Sequence, residues 1–168
     1  MTAGPRVVLV GPMGAGKSTV GALLADAWRV TARDTDADIE ALEGRSISDI
    51  FVDSGEAHFR DLERKAVAEA LATHDGVLSL GGGAVLDPAT RELLAGHSVV
   101  FLRVGLADAV KRVGLGTTRP LLLGNVRATI KALLDERTPV YESVAALAVD
   151  TDGRTPEDVA AEIVGALA

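Results

Sequence analysis

The sequence predicts an α/β domain of three layers, in which helices cover both faces of a central, five-stranded parallel sheet. Short apolar runs alternate with longer amphipathic segments, as expected for parallel strands joined by helices. A glycine-rich segment directly follows the first apolar run and opens the first amphipathic one, an arrangement typical of nucleotide-binding α/β proteins. The length of 168 residues fits a single domain, predicted over 1–168.

The elements follow one another in a regular order. Strands are predicted at 6–10, about 28–32, 77–80, 98–102 and 146–149. Helices are predicted at about 17–28, 36–42, 47–52, 56–73, 88–95, 106–113, 126–143 and 156–167. Ligands of such folds gather at the carboxyl ends of the strands.

A stretch at about 114–125 does not fit the alternation of strands and helices. It has glycine near both ends and threonine, arginine and proline inside, which is the composition of a mobile lid. On composition alone, an ordinary long surface loop is the alternative.

Composition narrows the class of partners. The formal net charge is −7, from 17 Lys and Arg against 24 Asp and Glu, and this balance argues against nucleic acid. No segment approaches the ~20 consecutive apolar residues that span a bilayer, and no signal-peptide pattern begins the chain, so we expect a cytoplasmic protein without a membrane partner. The absence of cysteine excludes disulfides and thiolate metal sites. Without an evident coiled coil, the expected state is a monomer.

The most specific motif is the glycine-rich segment. Residues 11–18 read Gly-Pro-Met-Gly-Ala-Gly-Lys-Ser, a complete G-x-x-x-x-G-K-[ST] phosphate-binding loop. Glycines such as Gly14 and Gly16 let backbone N–H groups approach phosphates, and the helix N-terminus adds partial positive charge. Lys17 should reach the β- and γ-phosphates, and Ser18 should bind Mg²⁺. A plain glycine turn is the alternative, but the full match predicts binding of a nucleoside triphosphate.

An acidic pair follows the second predicted strand. Asp34 should therefore lie at the same sheet edge as the phosphate-binding loop, where it can reach Mg²⁺ directly or through water. Asp36 should point the same way in extended geometry and face an acceptor hydroxyl. The alternative is an acidic helix N-cap with no chemical role.

A second charged pair is predicted on the helix that begins near Glu56. Arg60 and Glu63 are three residues apart and share a helix face, so the carboxylate could hold the guanidinium as an anion clamp. The alternative is a routine surface pair, which contributes only tenths of a kcal/mol.

Taken together, these segments closely resemble the shikimate kinases of bacterial aromatic amino-acid biosynthesis. The resemblance covers nearly the whole chain and rests on the segments 14–19, 34–36, 44–47, 50–51, 55–56, 59–60, 80–84, 118–121, 137–141 and 154–156. It implies a P-loop kinase fold with a substrate-binding helical segment at about 34–63 and a lid at about 114–125. The implied reaction transfers the γ-phosphoryl group of ATP to the 3-hydroxyl of shikimate, giving shikimate 3-phosphate and ADP, with Mg²⁺ as the metal.

The same resemblance implies roles for individual residues. Those implied in catalysis are Lys17, Asp36 and Arg119. Those implied in binding ATP are Gly14, Ala15, Gly16, Lys17, Ser18, Thr19, Arg112, Arg119, Arg154 and Pro156. Those implied in binding shikimate are Asp36, Arg60, Gly81, Gly82, Gly83 and Arg137, and those implied in binding Mg²⁺ are Ser18 and Asp34. Paired guanidiniums suit the carboxylate of shikimate, and a carboxylate suits its ring hydroxyls.

Two other functions remain possible from the sequence. A related small-molecule kinase, such as a gluconate kinase, could share the loop and a short lid, although Arg60, the triple glycine and Arg137 argue against it. A nucleotide-dependent regulatory switch would carry an Asn-Lys-x-Asp string, which is absent. The segment 150–153 matches the switch pattern D-x-x-G, but it follows the last strand and is predicted to be a turn.

Overall fold

The computed structural model describes residues 4–115 and 126–167. The strands are β1 (Val7–Val10), β2 (Ala32–Asp34), β3 (Val77–Ser79), β4 (Val99–Arg103) and β5 (Leu147–Asp150). The helices are α1 (Lys17–Trp28), α2 (Thr35–Glu43), α3 (Ile47–Thr73), α4 (Pro88–Leu94), α5 (Leu106–Leu115), α6 (Val126–Val144) and α7 (Pro156–Ala166). A 3₁₀ turn, Ala84–Leu86, follows the triple glycine.

The five strands form one parallel sheet in the order β2-β3-β1-β4-β5. In the centre, Val8 pairs with Leu78 on one side and with Val99 on the other. Because all strands run the same way, the segments that follow β1, β2 and β3 leave the sheet at one edge, the one formed by the carboxyl ends of the strands. The predicted three-layer fold with a five-stranded parallel sheet is confirmed, and the site assembles at this edge.

Alternation along β1 explains why its sequence is apolar at every position. Val7 and Leu9 belong to the core formed with α1 and α7, whereas Val8 and Val10 belong to the core formed with α3, α4 and part of α6. All four side chains are buried. Successive side chains of a strand point to opposite faces, so a sheet covered on both faces needs apolar residues throughout.

The second strand lies later in the chain than predicted. Trp28 ends α1, and Arg29 turns the chain away with a φ of 56°. The strand itself is Ala32–Asp34, at the edge of the sheet, and none of its residues is fully buried. An edge strand of this kind needs no apolar run, which is why hydrophobicity pointed to the wrong residues.

Two predicted helices, 47–52 and 56–73, are two parts of α3 separated by a break. Gly55 has a φ of 87° and a ψ of 167°, which no helical residue adopts. Upstream, Gly44 ends α2 with a φ of 68°, and the Ser46 hydroxyl accepts a hydrogen bond from the N–H of Asp49 at 3.1 Å. These local constraints set the direction of the helix segment that carries Arg60.

The first two residues of the predicted lid at about 114–125 form the end of α5. The remainder, including Arg119, lies outside the described residues. Within the described ranges, no helix has the length and apolar character needed to cross a bilayer.

Replacing Gly55 with alanine tests the break in α3. A Cβ at Gly55 would meet open space, so the cost is conformational, and we expect a loss of about 1–3 kcal/mol in the free energy of unfolding. Gly165 in α7 is the matched control, because its Cβ would also meet open space but its backbone is helical. Gly165→Ala should raise stability by about 0.5–1 kcal/mol. Urea denaturation measures both, and equal effects would contradict the strained conformation.

Candidate active site

The phosphate-binding loop wraps around the ammonium of Lys17. Its Nζ donates hydrogen bonds to the carbonyl oxygens of Gly11 at 2.6 Å and Pro12 at 3.0 Å. The lysine is half-buried, and its contacts are with backbone carbonyls rather than with a carboxylate. A triphosphate entering the loop would offer this ammonium anionic partners in place of neutral ones.

The N-terminus of α1 keeps its donors available for an anion. Gly16 occupies the N-cap in the left-handed region, with a φ of 92°, and no side chain in the described part of the chain caps the helix. The first N–H groups of a helix need partners from outside it. Ser18 and Thr19 are exposed in the first turn. The loop is thus an open anion cradle of the kind that its sequence predicts.

Next to this cradle lies a cavity of about 250 Å³. It is lined by Gly14, Ala15, Gly16, Thr19, Val20, Arg112, Thr151, Arg154, Pro156 and Val159. Three of the four predicted ATP-binding residues outside the loop and α1, namely Arg112, Arg154 and Pro156, are therefore brought to the loop from α5 and from the segment that leads into α7. The fourth, Arg119, lies outside the described residues.

The guanidiniums beside this cavity are already held by protein groups. Arg112 donates to the carbonyl oxygen of Gly14 at 3.1 Å and to the hydroxyl and carbonyl of Thr151 at 3.2 and 3.1 Å. Arg154 donates to the carbonyl of Asp150 at 2.9 Å and to Glu162 at 2.8 Å. Each arginine thus contributes a fixed flat wall to the cavity.

The two residues of the acidic pair, Asp34 and Asp36, have different roles in the structure. Asp34 ends β2 and accepts a hydrogen bond from the N–H of Asp36 at 2.8 Å, so it is the N-cap of α2. Asp34 has the predicted extended backbone, but Asp36 lies in the first turn of α2, so the extended geometry predicted for Asp36 was wrong. Capping nevertheless leaves Asp36 unexplained, because its Oδ1 is buried without a hydrogen-bond partner among the described residues. A buried carboxylate oxygen of this kind needs a ligand or a proton.

Burial shifts the pKa values of the two central charges toward each other. Desolvation, with the nearby carboxylates of Asp34 and Glu63, raises the pKa of Asp36 to about 6. Desolvation also lowers the pKa of Lys17 to about 8, against the attraction of Asp36 and Asp34. Both groups are charged together only between these values. Groups with such pKa shifts in a cleft are candidates for catalysis.

The triple glycine lies where charged side chains converge. A Cβ on Gly81 would come within 2.6 Å of Asp36 Oδ1 and 3.0 Å of Glu63 Oε2. A Cβ on Gly83 would come within 2.7 Å of both terminal nitrogens of Arg60. Side chains at these positions would displace the charged groups, so the glycines are required by close approach.

Arg60 is held in place by a buried partner. Its Nη1 donates to Glu63 Oε1 at 2.8 Å, and the Glu63 side chain is only 5% exposed. Burial raises the pKa of Glu63, although Arg60 and Arg137 oppose this shift. The alternative of a routine surface pair is therefore wrong. Glu63 orients a guanidinium that faces the triple glycine.

The second guanidinium, that of Arg137, reaches the same place from α6. Its Nη1 lies 3.5 Å from where a Cβ of Gly82 would be, and its Nε is buried without a partner in the described part of the chain. The cleft thus combines two guanidiniums, a carboxylate with one buried oxygen that lacks a partner among the described residues, and the phosphate cradle. It can hold a small hydroxylated carboxylate beside a nucleotide.

Sequence reasoning missed two buried residues of the site. Tyr141 donates to the carbonyl oxygen of Gly82 at 2.6 Å, and Thr151 accepts from Arg112 while donating to the carbonyl of Arg103 at 2.9 Å. The sequence signals for Tyr141 were its position one helical turn after Arg137 and its place in the segment 137–141 of the resemblance, neither of which gave it a role. Thr151 gave none, although the turn predicted at 150–153 is present.

Comparison with known proteins identifies the family of this chain. The family model described as shikimate kinase matches residues 13–168. The chain belongs to the shikimate kinase family. A shikimate kinase of Salinispora arenicola is 60% identical over 164 residues, covering 98% of both chains. That of Thermobifida fusca is 58% identical over 164 residues, covering 98% of this chain and 95% of the relative.

Solved structures give the same result. A shikimate kinase from Acinetobacter baumannii in complex with shikimate has a TM-score of 0.91 and 34% identity, covering 99% of this chain and 93% of that one. A gluconokinase from Sinorhizobium meliloti, at 22% identity and a TM-score of 0.58, shares the fold alone. The predictions of a P-loop kinase fold and of an ATP-dependent shikimate kinase are confirmed.

Replacing Asp36 with asparagine tests the cost of the buried carboxylate. Because the folded-state pKa of Asp36 is raised from 3.8 to about 6, its ionisation destabilises the folded protein progressively through this pH range and fully above it. Asp36→Asn should therefore raise stability by roughly 1–3 kcal/mol at about pH 7.5, and by less at about pH 4.5. Thermal unfolding of both proteins measures this difference. A loss of stability at the higher pH would contradict the assignment.

Proposed function

We propose that this chain binds ATP in the phosphate-binding loop and shikimate at the triple glycine, and transfers the γ-phosphoryl group to the 3-hydroxyl of shikimate. The observation that carries this proposal is that Lys17, Asp36, Arg60 and Arg137 meet at the carboxyl ends of the strands, where Asp36 Oδ1 is buried without a partner among the described residues. Both substrates would then have their reacting groups over the same carboxyl ends of β1 and β3.

The carboxylate of shikimate is proposed to lie between Arg60 and Arg137. Guanidinium groups recognise carboxylates through paired, charge-assisted hydrogen bonds. Glu63 already holds one terminal nitrogen of Arg60, which keeps this guanidinium in place beside the triple glycine. The ring hydroxyls would then face Asp36, whose Oδ1 gains the donor that it lacks.

Phosphoryl transfer mainly requires positioning and charge stabilisation, because its transition state is loose and needs little early proton removal. Asp36 would orient the attacking hydroxyl and accept its proton late. Lys17 would stabilise the negative charge on the transferred group. Arg119 is proposed to add to this from the lid, which rests on the sequence resemblance alone.

Mg²⁺ fits the donors at this edge of the sheet. The Ser18 hydroxyl is exposed in the first turn of α1, and Asp34 uses one carboxylate oxygen for its cap. The described residues hold no cluster of three His, Cys, Asp or Glu that could bind a metal on its own. Mg²⁺ typically takes one or two protein oxygens and completes its shell with phosphates and water. Bound there by Ser18 and Asp34, it would neutralise phosphate charge.

The remaining proposals concern the setting of the reaction. The acidic net charge of −7 suits a small-molecule enzyme that does not bind nucleic acid. We also propose that the protein is a monomer in the cytoplasm and acts in the pathway to aromatic amino acids; the pathway follows from the family resemblance.

A substrate panel tests the proposed reaction. Purified protein with ATP and Mg²⁺ should release ADP when shikimate is added, and should release little with gluconate or nucleoside monophosphates. A coupled ADP assay measures the rate, and Lys17→Ala should abolish most of it because the developing charge loses its cation. ADP release that does not depend on shikimate would refute the proposal.

Removing each proposed carboxylate clamp tests substrate recognition. Arg60→Ala and Arg137→Ala should raise the KM for shikimate by about 10- to 100-fold, since each loses charge-assisted hydrogen bonds, and should leave the KM for ATP nearly unchanged. Arg64→Ala is the matched control, because Arg64 lies one turn further along α3 and pairs with Asp61 and Asp87 instead. An increase with Arg64→Ala equal to that with Arg60→Ala would rule out a specific clamp.

The pH dependence of kcat/KM follows from the two central charges. Activity requires Asp36 without its proton and Lys17 with its proton. The pKa of Asp36 is about 6 and that of Lys17 is about 8, so both conditions hold only between these pH values. Since kcat/KM reports on the free enzyme, we expect a bell-shaped profile with its maximum between these values. A steady-state pH series checks this expectation, and a flat profile across both values would contradict it.

A further inference from the structure

Tyr141 lies in the hydrophobic core next to the triple glycine. It is the single tyrosine of the chain, and it is fully buried. Its ring packs against Phe101 of β4, with the ring centroids 5.0 Å apart. Packing of this kind fixes the ring, and therefore fixes where its hydroxyl points.

The hydroxyl points at the backbone of the triple glycine, where the proposed function places shikimate. It donates a hydrogen bond of 2.6 Å to the carbonyl oxygen of Gly82. This carbonyl belongs to the central peptide of a turn that the Ala84 N–H closes by donating to the carbonyl of Gly81 at 3.1 Å. Glycine has no side chain to restrict the rotation of such a peptide, so an external hydrogen bond is needed to fix it.

The Tyr141 hydroxyl also lies next to Arg137, the second guanidinium proposed to bind the carboxylate of shikimate. Arg137 lies one turn before Tyr141 on α6. Burial raises the pKa of Tyr141 to about 12, although the charge of Arg137 and a hydrogen bond with it act in the opposite direction. The phenol therefore stays a neutral donor at working pH. One side chain thus contacts both the turn and the guanidinium that the proposed function assigns to shikimate.

We propose that Tyr141 is a positioning residue for shikimate, which sets the Gly82 peptide and the Arg137 guanidinium at the distance that the substrate requires. This inference rests on the proposed function, because it assumes that the turn and Arg137 contact shikimate. It assigns Tyr141 no contact with either substrate. Its hydroxyl should therefore affect the affinity for shikimate and leave the affinity for ATP and the chemical step nearly unchanged.

Tyr141→Phe removes the hydroxyl and keeps the ring. Since it leaves a buried carbonyl without its donor, we expect the KM for shikimate to rise about 5- to 30-fold, with the KM for ATP and kcat within about twofold of the parent. Ile163→Val is the control for a general loss of packing, because Ile163 is fully buried on the opposite face of the sheet. It should lower the Tm without a change in the KM for shikimate.

A second measurement uses the fact that there is only one tyrosine. Incorporation of 3-fluorotyrosine gives one ¹⁹F resonance, which should shift when shikimate is added and should not shift on shikimate addition to Arg137→Ala. This readout needs no substitution at Tyr141. A resonance that saturating shikimate leaves unmoved would overturn the proposal.

The outcomes separate the two proposals. If the parent protein turns over shikimate and Tyr141→Phe has an unchanged KM for it, the positioning role is wrong and the proposed function stands. If the KM values for both substrates rise together, the hydroxyl is merely structural and the positioning role is again wrong. If the parent protein neither binds nor phosphorylates shikimate, both proposals fail.

Discussion

The close approach of charged side chains to the triple glycine constrains the rest of the site. Asp36 and Glu63 approach Gly81, and Arg60 approaches Gly83, at distances that leave no room for a Cβ. The helices that carry these side chains, α2 and α3, must therefore pass close to the turn after β3. The break in α3 and the caps of α2 direct these helices toward the turn, and the position of α6 brings Arg137 to it.

Charge balance is the second consequence of this crowding. The described part of the cleft brings the positive groups of Lys17, Arg60 and Arg137 together with three carboxylates, those of Asp34, Asp36 and Glu63. The carboxylate of Glu63 is matched by Arg60, and that of Asp34 by a backbone cap. Asp36 and Arg137 each keep a buried atom that has no partner among the described residues. The protein thus leaves unsatisfied the two groups that the proposed substrate would satisfy, at some cost to stability.

The nucleotide side of the cleft follows a different principle. There the arginines are held by carbonyl and carboxylate groups of the protein, and the backbone of the loop supplies the donors. A triphosphate needs many N–H groups and a diffuse positive potential, which backbone and helix N-terminus provide. The acceptor needs few contacts at defined points, which side chains provide. Substrate specificity is therefore expected to depend on side chains far apart in the sequence.

The sequence by itself determined the layers, the five parallel strands and the phosphate-binding loop, because these depend on local periodicity and on a contiguous motif. It also determined the pairing of Arg60 with Glu63, since both lie on one helix face. It misplaced β2, because an edge strand needs no apolar run, and it gave Asp36 the wrong local conformation. Only the tertiary structure decided that Glu63 is buried, that Arg137 reaches the triple glycine and that Tyr141 holds Gly82. These contacts join distant segments, and their geometry depends on how whole helices pack on the sheet.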